Sequence, residues 1–125
     1  MTGIGIGARL TIEDVFIVWH YLLMERLTED QLTELGEMFR MLGDPTRLGI
    51  ILACMDEPLS VSLMARRLDA SQSLVSHHLR LLRATRLVKG HRQGRTVLYQ
   101  VSDDHVRTML QNMVEHIHEE TGETP

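Results

Sequence analysis

The sequence predicts a mainly α-helical domain that carries one small β-hairpin. Apolar residues recur every three or four positions through most of the 125 residues, which is the period of an α-helix. Residues 96–101, TVLYQV, alternate instead between two sets of side chains, as a strand does. They follow Gln93-Gly94, a turn signal, so we expect a hairpin with an earlier strand near residues 88–92.

Most of the predicted helices begin at a residue that can cap them. A first helix is expected over residues 11 to about 27, and Thr28 then opens a second, with Gln31 three residues on as in a capping box. Asp44 precedes Pro45, a residue favoured at the first helical position, and we expect this third helix to end at Pro58. Three further caps open the remaining helices: Ser60, Ser71 and Asp103.

The composition is that of a globular protein with one domain. Hydrophobic residues make up 43% and charged residues 24% of the chain. The single cysteine, Cys54, leaves no internal disulfide and fits a reducing compartment. The apolar run near the N-terminus is too short to span a bilayer, and Glu13 and Asp14 stand where a secretion signal carries positive charge. We therefore expect a cytoplasmic protein that has no membrane partner.

The predicted first helix is apolar over much of its surface. Its large apolar residues are Ile12, Val15, Phe16, Val18, Trp19, Leu22 and Leu23. An exposed surface of this kind predicts that a second chain covers it. The expected assembly is therefore a homodimer.

Basic residues are concentrated in one segment of an otherwise acidic chain. The net charge is −4, yet residues 66–95 hold eight of the 13 lysines and arginines and only one acid, Asp69. Such a basic stripe is typical of a surface that binds a polyanion, and a solvated basic face is the alternative.

The helix that follows Ser71 sorts its residues by face. The inward set on the 3.6-residue period is Leu74, Val75, His78, Leu79 and Leu82. The outward set is polar at the start of the helix and basic further on, which suits a DNA major groove. The predicted DNA-binding residues are Ser71, Gln72, Ser73, Ser76, His77 and Arg80, together with Arg92 and Arg95 at the hairpin tip. Helix, turn, recognition helix and basic hairpin predict a winged helix-turn-helix that binds double-stranded operator DNA as a dimer.

Three stretches, LGDPTRLGIIL, SQSLVSHHLRLLRATRLV and GRTVLYQVSDDH, resemble the ArsR/SmtB family of bacterial metalloregulatory repressors. The resemblance runs from about Leu35 to Glu119. It implies a homodimeric winged helix protein that represses a resistance or efflux gene and leaves its operator when metal binds. The sequence departs from the family in two places. Ser60 and Ser62 stand where the arsenic-sensing branch has Cys-x-Cys, and Arg86 replaces the usual glycine after the recognition helix.

The C-terminal helix carries histidines and acids along its apolar stripe. At 100° per residue the stripe consists of Val106, Met109, Leu110, Met113, Val114 and Ile117. His105, His116 and Glu119 lie on one border of this stripe. The two histidines are eleven residues apart, roughly 16 Å at 1.5 Å per residue, so one ion cannot bind both within a chain. Antiparallel packing of two such helices brings His105 of one chain to His116 of the other.

Two equivalent sites per dimer then result, each with Asp103 and His105 from one chain and His116 and Glu119 from the other. Two imidazoles and two carboxylates suit Zn(II), or a similar ion such as Co(II), Ni(II) or Cd(II). The zinc-sensing branch of the family has this Asp-x-His and His-x-x-Glu pattern, so the resemblance implies these four ligands. Solvated histidines on a polar border are the alternative.

These expectations divide the chain into an N-terminal dimerisation helix at residues 1–28, a winged helix DNA-binding domain at 29–102 and a C-terminal dimerisation and metal-sensing helix at 103–125. We expect a zinc-responsive repressor and not an enzyme, because a closed four-ligand site leaves no position for a substrate. Two alternatives remain open: a repressor of the same family that answers a non-metal signal, and a winged helix that binds only proteins.

Overall fold

The computed structural model describes residues 9–122, except for the side chains of residues 23–25 and 121. The predicted contribution of Leu23 to the apolar surface therefore lies outside the described residues. Within them the helices are α1 (Ile12–Arg26), α2 (Glu29–Leu42), α3 (Pro45–Ala53), α4 (Val61–Leu68), α5 (Gln72–Ala84) and α6 (Asp104–Thr121). The strands are β1 (Leu59–Ser60), β2 (Val88–Gln93) and β3 (Thr96–Val101). The predicted mainly α fold with a small hairpin is confirmed.

The described residues divide into two compact units after Gly36. The first unit holds α1 and the beginning of α2. Reciprocal bonds cap α1, because Thr11 Oγ1 accepts from the Asp14 backbone N–H at 3.0 Å and the Asp14 carboxylate accepts from the Thr11 N–H at 3.0 Å. Thr28 and Gln31 form the predicted capping box at the start of α2, with bonds of 3.0 and 3.1 Å. None of the described helices is long and apolar enough to cross a membrane.

The second unit is built around a core to which α3, α4, α5 and the sheet all contribute. Its most completely buried side chains are Ile50, Ile51, Leu59, Met64, Val75, Leu79, Leu82, Leu87 and Val101. The side chains of Asp44, Ser60, Ser71 and Asp103 each accept a hydrogen bond from the backbone N–H three residues on, at 3.0–3.2 Å. The four predicted caps are therefore confirmed, and they fix where α3, α4, α5 and α6 begin.

The sheet has the strand order β1-β3-β2, and both pairings are antiparallel. The register pairs Val88 with Val101 and Gln93 with Thr96, which leaves Gly94 and Arg95 as the hairpin turn. Gly94 has φ +66°, a conformation that glycine adopts without strain. The two-residue strand β1 is too short to leave a periodic pattern, and the sequence did not predict it.

One helix boundary differs from the prediction, and a second helix ends without the usual glycine. Helix α3 ends at Ala53 rather than at Pro58, because Cys54 leaves the helical conformation with φ −104° and ψ 20°. After α5, Arg86 takes the left-handed conformation, φ +61°, that glycine usually supplies. The Leu87 N–H bonds the Leu82 carbonyl at 2.9 Å, which closes the helix as a Schellman motif despite the missing glycine.

Candidate functional site

Helices α4 and α5 form the helix-turn-helix. Asp69 ends α4 in the left-handed conformation, φ 52°, which aspartate and asparagine adopt more readily than most residues other than glycine. The Ala70 N–H bonds the Ala65 carbonyl at 2.9 Å, and Ser71 then caps α5. The turn therefore needs only two residues, and it fixes α5 against the core formed by α3 and α4.

The outward face of α5 is largely exposed to solvent. Ser71, Gln72, Ser73, His77 and Arg80 are exposed, and Ser76 is half-buried. Ser71 Oγ also accepts the capping bond from the Leu74 N–H at 3.1 Å, and its hydroxyl can still donate to a second partner. The other predicted residues form a polar surface with Arg80 further along the helix, a geometry that suits a DNA groove.

The inward face of α5 differs from the prediction at Leu74. Val75, Leu79 and Leu82 are buried and His78 is half-buried, whereas Leu74 is 43% exposed. The prediction that Leu74 faces the core is wrong. Leu74 lies in the first turn of α5. Its side chain lines a surface depression of about 390 Å³ and is not packed in the core. The depression is lined by Pro45, Thr46, Gly49, Leu68, Asp69, Ala70 and Leu74.

The hairpin presents the two predicted arginines at its tip. Arg92 lies near the end of β2 and Arg95 lies in the turn, and both side chains are exposed. Gly90 faces Tyr99 across the hairpin, where a Cβ atom would come within 2.9 Å of the Tyr99 ring. A side chain at this position would therefore force the Tyr99 ring to move, so the close approach of backbone and ring favours glycine.

Asp103 and His105 lie at the start of α6. His105 Nδ1 is 3.7 Å from Asp103 Oδ1, and the His105 side chain is 98% exposed. Asp103 Oδ1 also accepts the capping bond from the Val106 N–H at 3.0 Å. The structure therefore brings these two predicted metal ligands together at a solvated helix end.

His116 and Glu119 lie near the other end of α6, and both are exposed. The contact that the structure gives His116 is with Glu120, whose Oε1 is 3.8 Å from His116 Nε2. The sequence prediction did not include Glu120, although its i, i+4 spacing from His116 is the signal that could have found it. The structure thus places the Glu120 carboxylate beside the His116 imidazole, whereas Glu119 is exposed one residue before it.

The structure does not bring the two ends of α6 together. Within the described residues of one chain, no group of three or more histidine, cysteine, aspartate or glutamate side chains is placed to hold a metal ion. Cys54 is fully buried, whereas the four predicted ligands are exposed, and burial raises the pKa of the Cys54 thiol to about 11. A site that uses all four predicted ligands needs a second chain.

The apolar stripe of α6 is divided between the core and solvent. Leu110 is buried and Val106, Met109 and Val114 are half-buried, whereas Met113 and Ile117 are 54% and 55% exposed. The two exposed residues lie on the same side of the helix as His116 at 100° per residue. In the first unit, nine large apolar side chains of residues 10–22 are at least 41% exposed.

Two arginines make contacts that the sequence prediction missed. Arg107 Nε donates to the Met55 carbonyl at 3.0 Å, which ties the first turn of α6 to the segment after α3. Arg47 Nη1 lies 3.4 Å from His78 Nδ1 and so links α3 to α5. Both contacts join residues distant in sequence, for which periodicity and capping patterns contain no signal.

Comparisons with known proteins place this arrangement in a family. Residues 44–89 match the family described as "Bacterial regulatory protein, arsR family". Over 95 residues the chain is 39% identical to the transcriptional repressor SmtB homolog of Synechocystis, with 76% of this chain and 72% of that protein covered. It is 30% identical over 84 residues to the cadmium resistance transcriptional regulatory protein CadC homolog of Staphylococcus aureus, with 66% and 69% covered.

A solved structure agrees with these sequence matches. Reduced HlyU from Vibrio cholerae aligns with a TM-score of 0.61 and 31% identity, covering 73% of this chain and 92% of that one. The helix-turn-helix, the basic hairpin and the matched sequences lead to one assignment. The chain belongs to the arsR family of bacterial regulatory proteins, which are DNA-binding transcriptional regulators and not enzymes.

Proposed function

We propose that the protein is a metal-responsive repressor that binds operator DNA as a homodimer and is released by Zn(II), or a similar divalent ion. The observation that carries the proposal is the exposed border of α6. Asp103 and His105 lie at one end of it and His116 and Glu119 near the other, with all four side chains exposed. The name of the Staphylococcus aureus relative, which links that protein to cadmium resistance, supports a metal effector.

The apolar surfaces support a dimer. Met113 and Ile117 are exposed beside His116, and α1 exposes large apolar side chains along its length. Exposed apolar patches of this kind mark surfaces that another chain covers. Antiparallel packing of two α6 helices buries Met113 and Ile117 and brings His105 of each chain to His116 of its neighbour.

The donor set suits zinc. Two imidazoles and two carboxylates fill a four-coordinate site. Because His105 and His116 are exposed, their rings can rotate toward an ion without disrupting core packing. Asp103 uses Oδ1 for the helix cap, so its second carboxylate oxygen can face an ion while the cap persists. When bound, the ion would link the two chains and fix their relative orientation. The buried, protonated Cys54 thiol is no ligand for a softer metal.

DNA binding is assigned to α5 and the hairpin. In the proposed complex Gln72, Ser73 and His77 face base edges in the major groove, while Arg80 and the two hairpin arginines contact phosphates. Binding to phosphates releases counterions, so the affinity falls steeply as the salt concentration rises.

A second candidate keeps the repressor and changes its signal. The observation that favours it is that the described residues of one chain hold no group of three or more potential ligands. In this version α6 serves only to join the chains, and its histidines are solvated residues.

Zinc titration into a protein–DNA complex tests the proposal. A duplex selected by the protein from a random pool is labelled, and its affinity is measured by fluorescence anisotropy with and without saturating zinc. We expect zinc to weaken binding by about 5–150-fold, the usual range of coupling between two sites. His116→Ala should abolish this response. His118→Ala, on another face of the same helix, is the matched control and should keep it.

The same titration separates the two candidates. An affinity for DNA that does not change with zinc, in a protein that binds zinc with two equivalents per dimer, rejects metal regulation and leaves metal binding. Absence of tight zinc binding rejects both metal binding and metal regulation, and it favours the non-metal signal. Comparing Glu119→Gln with Glu120→Gln then shows which of the two carboxylates completes the site.

A further inference from the structure

Arg47 is held in a fixed place between three elements. Its backbone N–H donates to the Asp44 carboxylate at the start of α3, at 3.0 Å. Its Nε donates to the Met41 carbonyl near the end of α2, at 2.8 Å. A second guanidinium nitrogen, Nη1, lies 3.4 Å from Nδ1 of His78 in α5. The side chain is half-buried, so these contacts determine its orientation.

The 3.4 Å contact with Arg47 favours one chemical state of His78. A guanidinium can only donate, so His78 Nδ1 must accept, and the imidazole must be neutral with its proton on Nε2. A protonated His78 would point an N–H at another cation. Desolvation by burial lowers the pKa of His78, and the Arg47 charge adds to this, whereas the Asp44 carboxylate opposes it. The environment and the contact thus favour the same neutral form.

His78 in turn supports a residue of the DNA-facing surface. The His77 and His78 rings are arranged edge to face, with centroids 5.4 Å apart and an angle of 62° between their planes. His77 is exposed on the outward face of α5, whereas His78 is half-buried on the inward face. A continuous series of contacts therefore runs from Met41 and Asp44 through Arg47 and His78 to an exposed side chain of the recognition helix.

We propose that Arg47 is a positioning residue for DNA recognition, which acts through neutral His78 to hold the His77 ring and the first turns of α5 in the orientation that reads operator DNA. Arg47 itself does not need to touch DNA. Because base contacts specify a sequence whereas phosphate contacts do not, loss of this positioning lowers sequence discrimination more than overall affinity. The proposal depends on DNA binding by the family fold and is independent of the metal.

The tautomer of His78 in the wild-type protein is the first test. Long-range ¹H–¹⁵N spectra of the histidine rings distinguish a bare nitrogen from a protonated one. At about pH 7.5, where an unperturbed histidine is mostly neutral, we expect Nδ1 of His78 to be bare and Nε2 to carry the proton. A ring with the proton on Nδ1 excludes the contact and overturns the proposal. This measurement needs no variant, so it does not depend on the folding of a mutant.

Substitution of Arg47 with a matched control is the second test. Arg47→Gln and Arg40→Gln each remove one positive charge, but Arg40 is exposed and pairs with Glu37 of its own helix. Affinities are measured for a duplex selected from a random pool and for a random duplex of the same length. We expect Arg47→Gln to reduce the ratio of the two affinities by about tenfold, equivalent to about 1.4 kcal/mol, and Arg40→Gln to leave it unchanged.

The outcomes of this comparison are distinct. An unchanged ratio in a folded Arg47→Gln protein overturns the proposal, because Arg47 then contributes only charge or stability. Combining Arg47→Gln with His77→Ala tests whether the effect passes through His77. If it does, the double variant loses no more discrimination than the larger single loss, whereas additive losses contradict the proposed route.

Discussion

Cys54 is fully buried, and burial raises the pKa of its thiol to about 11, because the thiolate loses its hydration there. The thiolate is the reactive form of cysteine, so we expect no reaction with a disulfide reagent such as DTNB at about pH 8 in the folded protein. After unfolding in guanidinium chloride, one thiol per chain should react within minutes. Rapid labelling of the native protein would show that the core opens at Cys54 or that the thiol is not buried.

His78 makes the stability of the fold depend on pH. Its pKa is lowered, chiefly by burial, from the usual 6.5, so the unfolded chain binds a proton at this residue more readily than the folded protein does. Its contribution to stability is complete above pH 6.5 and falls as the pH decreases from there toward the lowered pKa. The carboxyl groups with lowered pKa, Asp14, Glu37 and Asp44, start from 3.8–4.5, and their effect is lost only in more acid solution.

Chemical denaturation at a series of pH values between about 7.5 and 5.5 measures this dependence separately from the carboxyl groups. We expect the free energy of unfolding to fall over this interval in the wild type and to fall less in His78→Gln. The variant keeps a polar side chain that can accept from Arg47 but cannot gain a proton. Equal slopes in the two proteins would assign the pH dependence to other histidines.

At the start of helix α6, Asp103 is both the helix cap and a proposed metal ligand. Two substitutions separate these roles. Asparagine also caps helices, so Asp103→Asn should leave the free energy of unfolding nearly unchanged, whereas Asp103→Ala should lower it by about 1 kcal/mol. Both variants remove the carboxylate, and we expect both to bind zinc at least about tenfold more weakly. Urea denaturation and zinc titration check the two effects. Wild-type zinc affinity in Asp103→Asn would remove Asp103 from the ligand set.

The end of helix α5 carries strain that one substitution can relieve. Arg86 occupies the left-handed position of a Schellman motif, where residues with a Cβ atom are disfavoured. We expect Arg86→Gly to raise the free energy of unfolding by about 0.5–1 kcal/mol, because the relief exceeds the greater flexibility of glycine in the unfolded chain. Arg86→Ala is the control and should give no gain. A gain with alanine as well would place the cause in the arginine side chain and not in the backbone.

The elements differ in how far the sequence predicts them, for a physical reason. Caps such as Ser60 and Ser71 act over three residues, so the local pattern is sufficient and the structure confirms them. The exposure of Leu74, the pairing of β1 with β3 and the contact of Arg47 with His78 depend on how distant segments pack. Periodicity records only which side chains share a face of one helix, and it does not record what lies opposite that face.

At the scale of the whole molecule, the proposed metal site depends on the assembly. A dimer reads two half-sites about one helical turn of DNA apart, so the relative orientation of the two chains determines whether both recognition helices fit. An ion shared between two α6 helices would fix that orientation. Arg107 connects α6 to the segment after α3 through its bond to the Met55 carbonyl, which ties the orientation of α6 to the core that supports α5.

Mixed dimers test this claim most directly. Separately purified His105→Ala and His116→Ala proteins each lack one ligand at both sites of their own dimers, so neither should bind zinc tightly. After mixing and exchange of subunits, half of the dimers combine one chain of each type. In these, His105 from one chain and His116 from the other form one intact site. We therefore predict that the mixture recovers about a quarter of the wild-type zinc capacity per chain. No recovery, in a mixture shown to contain the mixed dimer, would contradict a site shared between antiparallel C-terminal helices.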